Sequence, residues 1–288
     1  QTPFYAESGG QVGDRGKITG ENISLDVIDV KNENQSIIHV CQGLFQYSNS
    51  LIKCSVEKTF RDKVRNNHTA THLMHKALKN ILGNHVNQAG SLVHPDYLRF
   101  DLTHFEKITE EQIEKIEKMV NSQIHANTKL DVSIESYDDA KNQGAEALFG
   151  EKYGNEVRVV KVGEYSLELC GGTHVNRTGD IGTFKIIEES SLSSGVRRIV
   201  ALTGTGALKE VQKNSSIIHS LQQKFNVPSS EIINKVNTLI NEKKDLEKKI
   251  KQRSFGNLQA NIFDDAEKIG DTTLIVKKVS VGSMDELK

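Results

Sequence analysis

Two short segments carry side chains able to bind a metal ion: His68-Thr69-Ala70-Thr71-His72 and Cys170-Gly171-Gly172-Thr173-His174. Each holds two donor residues four positions apart, and together they supply three imidazoles and one thiolate, a full tetrahedral set for zinc. That chemistry requires the two pairs to converge. Plainer readings stand beside it. A His-x-x-x-His pair on an amphipathic helix is often just two half-buried polar residues, and the zinc-protease pattern needs Glu where this chain has Thr69. Cys170 and His174 also have the makings of a nucleophile–base dyad, which would still need a third residue to orient the base.

The elements that position these residues follow from periodicity. From Thr59 to Leu82, apolar residues recur at Phe60, Val64, Leu73, Ala77, Leu78, Ile81 and Leu82, and Gly83 follows as a stop. On that helix His68 and His72 stack one turn apart, so both can reach one ion. His75, one turn further, reads as packing or as support for the ligands. Tyr165 to Leu169 alternates like a strand, and Gly171-Gly172 gives the tight backbone that would fold Cys170 toward His174.

The 288 residues are 36% hydrophobic, enough for two domains with real cores. Cys41, Cys54 and Cys170 at irregular spacing make no disulfide framework, which points to a reducing, cytoplasmic setting. No apolar run has the length of a membrane span. The chain opens on Gln1-Thr2-Pro3-Phe4-Tyr5, which reads as the middle of a motif, and stops soon after Leu274-Ile275-Val276. A piece of a longer protein is therefore expected. The net charge of −1 argues against a uniformly nucleic-acid-coating surface. A local basic strip stays open, from Arg61, Lys63 and Arg65, from Lys76 and Lys79, or from Arg197-Arg198. Taken singly, each reads better as a solvated face or a salt bridge.

Three regions are expected, with an α+β fold overall. Residues 1–57 read as a small β-barrel or sandwich, with alternating runs at Ile23–Val30 and Ile37–Val40. Residues 58–204 read as an α+β domain with an antiparallel sheet and helices. It holds the histidine helix, and a second helix opening on the capping box Thr109-Glu110-Glu111-Gln112 with Ile113, Ile116, Val120 and Ile124 on one face. Strands are expected near Val86–Val93, Tyr97–Leu102, Leu130–Ile134, Val157–Val162, Tyr165–Leu169, Ile181–Ile187 and Val196–Leu202. Residues 205–288 read as a helical hairpin broken at Pro228, with Ile232, Val236, Leu239, Leu246 and Ile250 near heptad spacing.

The motifs also resemble a known family. Thr2-Pro3-Phe4-Tyr5-Ala6-Glu7-Ser8-Gly9-Gly10-Gln11, Asn67 to His75, Gln88-Ala89-Gly90-Ser91-Leu92-Val93, Ala147 to Gly154, Glu168 to His174 and Gly195-Val196-Arg197-Arg198-Ile199 occur in the order of one particular region. That region is the editing part of bacterial alanyl-tRNA synthetases and of the free-standing editing proteins related to them. The resemblance covers roughly residues 1–204, and the helical tail is similar to the connection leading to a C-terminal domain in the full synthetase.

The resemblance implies a zinc ion held by His68, His72, Cys170 and His174, with Gln88 lining the editing pocket. Thr69 and Thr71 are hydroxyls able to contact substrate, and equally able only to pack or back-bond within the helix. It implies tRNA as partner, specifically alanine tRNA mischarged with serine or glycine, and hydrolysis of the wrong ester. ATP-dependent attachment of alanine would belong to another part of the full protein, and self-association to a further C-terminal region. A pocket shaped for alanine's methyl cannot exclude glycine by size or strongly refuse serine's hydroxyl, so a second, hydrolytic site is needed. Two other classes stay open: a non-catalytic tRNA-binding module with structural zinc, and a different zinc hydrolase on a similar fold.

Overall fold

A computed structural model describes residues 1–34, 36–46, 51–146, 154–262 and 266–276. The chain divides into two compact units, Gln1–Gln212 and Lys213–Lys288. Among the described residues no helix is long and apolar enough to cross a membrane.

The first unit opens with β1 (Gly16–Gly20), β2 (Ile23–Glu33), β3 (Ser36–Phe45) and β4 (Lys53–Val56), an antiparallel sheet in the order β3-β2-β1-β4. A bulge between Val27 and Asp29 shifts the two-residue alternation, so Val27 and Val30 both turn inward onto Phe4. Among the described residues β3 and β4 stand at the edges of this sheet and no ladder joins them, so the strand-rich N-terminal region is a four-stranded antiparallel sheet with no closed barrel seen.

The histidine helix is α1 (Lys58–Leu82), and Gly83, at φ 115°, ends it with its N–H on the Lys79 carbonyl. α2 (Glu110–His125) starts at Thr109, whose hydroxyl accepts from the Gln112 N–H while the Gln112 side chain accepts from the Thr109 N–H. These helices pack together over an antiparallel sheet of β5 (Gln88–Val93), β6 (Leu98–Thr103), β10 (Phe184–Ser193) and β11 (Val196–Thr203), ordered β10-β11-β6-β5. Leu73, Leu78, Phe100, Ile116, Phe184 and Ile199 fill the core between them. Burying such residues contributes about 1.5–3 kcal/mol each, which makes α1 a rigid base for its histidines.

A second sheet supports the cysteine. β7 (Leu130–Ser136), β8 (Glu156–Val162) and β9 (Ser166–Leu169) pair in the order β7-β8-β9, and Ala140 of α3 (Tyr137–Asn142) packs on Val157, Val159 and Leu169. β9 ends at Leu169, so Cys170 leaves the sheet at once. The strand expected from Ile181 instead begins at Phe184. Residues Thr178–Ile181 form a 3-10 turn, because the Thr178 hydroxyl donates to the Gln123 carbonyl and pins the chain to α2.

α4 (Gly204–Phe225) begins in the first unit. In the second, Pro228 and a turn at Ser229–Glu231 precede α5 (Ile232–Ile262), and β12 (Glu267–Ile269) pairs with β13 (Thr272–Leu274). Helices form where the apolar period predicts them. Of the expected seam residues, Ile232 is buried and Val236 half-buried, while Leu239, Leu246 and Ile250 are exposed.

Candidate metal centre

One face of α1 meets the chain leaving β9. The donor atoms of His68, His72, Cys170 and His174 all lie within 4.8 Å of one another, and all four residues are buried. Cys170 Sγ is 3.4 Å from His68 Nε2 and 3.2 Å from His174 Nε2. Nitrogen and sulfur donors on a tetrahedral zinc-sized ion, at about 2.0 and 2.3 Å from it, stand roughly 3.5 Å apart. The set therefore has the size and donor chemistry to hold a metal ion.

The outer ring nitrogens are all held. His68 Nδ1 donates to Gln11 Oε1 (2.7 Å), His174 Nδ1 donates to Thr69 Oγ1 (3.1 Å), and His72 Nδ1 faces the Glu168 carboxylate. These contacts make Nδ1 the outward donor of each ring and turn Nε2 inward, where in His72 a proton sits until a cation replaces it. His72 Nε2 is buried with no hydrogen-bond partner. An orphaned imidazole nitrogen beside a thiol and two more imidazoles is what a cation would satisfy.

The backbone of the cysteine segment is shaped for this approach. A Cβ at Gly172 would overlap the His68 ring, while one at Gly171 would meet nothing within 4 Å. Arg158 fastens the turn by donating from Nη1 to the carbonyls of Cys170 (2.7 Å) and Gly172 (2.8 Å). Gln11 completes the arrangement: Oε1 also accepts from the Thr173 N–H, and Nε2 donates to the Thr173 hydroxyl.

Charge is concentrated here. Burial opposes the Cys170 thiolate, yet His68, His72 and His174 hold the thiol well below its ordinary value. Burial likewise opposes a proton on His72, but Glu168 and Cys170 outweigh it and push the imidazole up to about 10. His174 is pushed down to about 3 by burial and by its neighbour His68. Burial disfavours the Glu168 carboxylate as well, and His72 more than compensates, leaving its pKa lowered. In the metal-free cluster the charged forms of Cys170, Glu168 and His72 therefore each favour the others.

The other candidates fall into place differently. Thr69 is fully buried, and its hydroxyl accepts from the Val175 N–H as well as from His174. Thr71 donates to the Asn67 carbonyl in its own helix. His75 lies tilted against Phe100, with Nδ1 3.9 Å from Glu168. Gln88 opens β5 opposite Leu102, and no hydrogen bond among the described residues joins it to the cluster. The segment Ala147 to Gly154 lies outside the described residues except for Gly154. Most of the expected basic strip is neutralised: Arg61 pairs with Asp14, Lys63 with Asp96, Lys79 with Glu146, Arg197 with Glu189, and Arg198 with Asp101. Gln11, Glu168 and Arg158 carry the site without having been singled out as site residues from the sequence. Glu168 stands two residues before Cys170 on a strand, a spacing that could have flagged it.

Comparison with known proteins gives two family matches: the threonyl and alanyl tRNA synthetase second additional domain, over residues 157–200, and the class II (A) tRNA synthetases, over residues 1–59. Among individual relatives, the alanine--tRNA ligase of Alkaliphilus oremlandii is 44% identical over 295 residues, covering 100% of this chain and 33% of the relative. That of Acetivibrio thermocellus is 47% identical over 256 residues, covering 88% and 29%, and that of Rickettsia rickettsii is 43% identical over 292, covering 99% and 33%. The chain spans about a third of the length of the relatives that match all of it. With the histidine and cysteine pairs joined in one buried cluster within that span, the chain belongs to the alanine--tRNA ligase family.

Proposed function

We propose that this chain is the editing part of an alanyl-tRNA synthetase, a zinc-dependent deacylase that removes serine or glycine from mischarged alanine tRNA. Residues 58–204 form the hydrolytic domain in this reading, with 1–57 as a subdomain feeding Gln11 into it and 205–288 as the connection onward. The observation that carries it is the convergence of His68, His72, Cys170 and His174 with their inward-facing Nε2 atoms. Three imidazoles and a thiolate suit zinc over harder cations.

When bound, such an ion supplies Lewis-acid polarisation and an anchor for the aminoacyl end. The chain's own residues do the rest. Gln11, Glu168 and Thr69 fix the three rings, and burial of the cluster lowers the local dielectric and keeps bulk water from random attack. Thr69 acts by positioning His174, and Gln88 belongs to the pocket wall. Serine is told from alanine by a buried polar partner that alanine would leave unpaired. Attachment of alanine with ATP is assigned to the remainder of the full-length protein, with self-association through its C-terminal region and a cytoplasmic setting.

One feature favours a second reading. Four protein donors are the set of a closed structural zinc site, which fits a tRNA-binding module without catalysis. Deacylation of serine-charged alanine tRNA separates the two. The hydrolase reading expects release that stops with a chelator and falls at least tenfold in Cys170→Ala. Release no faster than background from metal-loaded chain would leave the binding module.

A further inference from the structure

His75 is the buried histidine that the metal centre leaves unused. Its Nε2 has no hydrogen-bond partner, and its Nδ1 stands 3.9 Å from Glu168 Oε1. A buried imidazole left in this state calls for a ligand. The 3.9 Å gap is too long for a hydrogen bond, yet it lies within the roughly 4.2 Å that a nitrogen and a carboxylate oxygen can span across one zinc-sized ion. Glu168 serves both sides: Oε2 holds His72 Nδ1 in the cluster, while Oε1, which also accepts from the Ser166 hydroxyl at 3.2 Å, faces His75.

The pair lines a cavity of about 340 Å³ that opens to solvent past Glu164, whose side chain is 96% exposed. Its charged lining is Glu146, Glu164 and Glu168 against Lys76 and Lys161, a balance of −1. A second cavity, of about 680 Å³, reaches the cluster on the His174 side. There the charged lining is Arg65, Lys129, Arg158 and Arg177 with no carboxylate, a balance of +4. The field of that cavity repels a divalent cation, and the field of the Glu168 cavity does not. Electrostatics therefore separates the two approaches, and an incoming metal ion is steered to the Glu168 side.

We propose that His75 and Glu168 are an entry station for the metal ion, a transient donor pair that takes the incoming cation from solvent and hands it to His72 of the buried cluster. The handover is local, since Glu168 already touches His72 and His75 follows His72 by one turn of α1. It also runs downhill: two donors bind a borderline cation more weakly than three imidazoles and a thiolate do. The proposal rests on the cluster being a metal site and on no part of the hydrolytic reading.

The test is stopped-flow uptake of Co²⁺ by the metal-free chain, read by the thiolate-to-cobalt absorption of Cys170, with release measured against excess chelator. His75→Gln keeps a polar side chain of similar size but no imidazole. Its association and dissociation rates are both expected to fall roughly tenfold, with the affinity within about twofold of wild type. A residue that only positions His72 would instead weaken the affinity and leave association unchanged, and that result overturns the proposal, as do wild-type rates in both directions. Glu164→Gln, at an exposed position that does not disturb the fold, is expected to slow association about twofold, and Lys129→Met in the cationic cavity to leave it unchanged. Faster uptake in Lys129→Met would put the entry on that side and overturn the proposal even if His75→Gln does not fold. A wild-type chain that takes up no Co²⁺ would refute the metal centre itself, a failure distinct from equal rates in the variants.

Discussion

Gln11 Oε1 accepts the Nδ1 proton of His68 at 2.7 Å across 57 residues of sequence, tying the glycine-rich opening of the chain to the histidine helix. The same oxygen takes the Thr173 N–H at 2.8 Å, so one amide ties the His68 ring to the backbone of the cysteine segment. Gln11→Met removes the acceptor while keeping the volume, and its metal affinity is expected to fall roughly 10–100-fold. Gln11→Glu keeps the acceptor and is expected to recover most of that loss. Competition against a chromogenic chelator measures both, and equal affinities for the Met variant and wild type would remove the positioning role.

Gly171 and Gly172 look interchangeable in the sequence and are not. Only at Gly172 would a Cβ enter the His68 ring, whereas the space beyond Gly171 is open. Gly172→Ala is expected to lose bound metal and about 1–3 kcal/mol of stability through overpacking, and Gly171→Ala to keep both near wild type. Elemental analysis and denaturant titration of the two variants read this directly. A metal-free Gly171→Ala would show that chain flexibility, not proximity to His68, sets the requirement.

The proton on His72 must leave before a cation can bind its lone pair. With that pKa at about 10 in the metal-free chain, the site is protonated at pH 7, and metal uptake is expected to release about one proton there. The sign is fixed: affinity rises as pH climbs toward 10, because the competing proton is leaving, and falls as pH drops and competition deepens. Calorimetry in buffers of different ionisation enthalpy counts the proton. A buffer-independent heat would mean that His72 is already neutral.

The two halves of the cluster are legible because each is local. A spacing of four on a helical period puts His68 and His72 on one face, and Gly171-Gly172 after an alternating run marks the turn that brings Cys170 to His174. Gln11 is illegible for the opposite reason: its partners lie 57 and 162 residues away, and no period links them. The expected basic strip misleads similarly, since Arg61 and Arg198 are answered by Asp14 and Asp101 from remote segments. Lys129 and Arg177 become neighbours only through a bridge between two loops. In the first sheet alternation marks β2 and β3 but misses the short β1 and β4, and edge pairing depends on stagger, which alternation does not encode.

Asp14 carries the last prediction, because it anchors the segment that delivers Gln11. Its buried carboxylate accepts from the Tyr5 N–H and from the Arg61 guanidinium on α1, and Arg61 also donates to the Pro3 carbonyl at 2.7 Å. Arg61→Ala leaves that carboxylate buried and unpaired, so a cost of about 3–5 kcal/mol is expected. Replacing both partners by apolar residues of similar volume should cost far less, since no charge is then stranded. If Gln11 depends on this anchor, Arg61→Ala should also weaken metal binding under conditions where the chain is still folded, whereas the Asp62→Ala variant, one residue further along α1, should not. Chelator competition on chains shown to be folded by circular dichroism tests the link. Loss of stability with unchanged metal affinity would confine Asp14 and Arg61 to holding the first sheet.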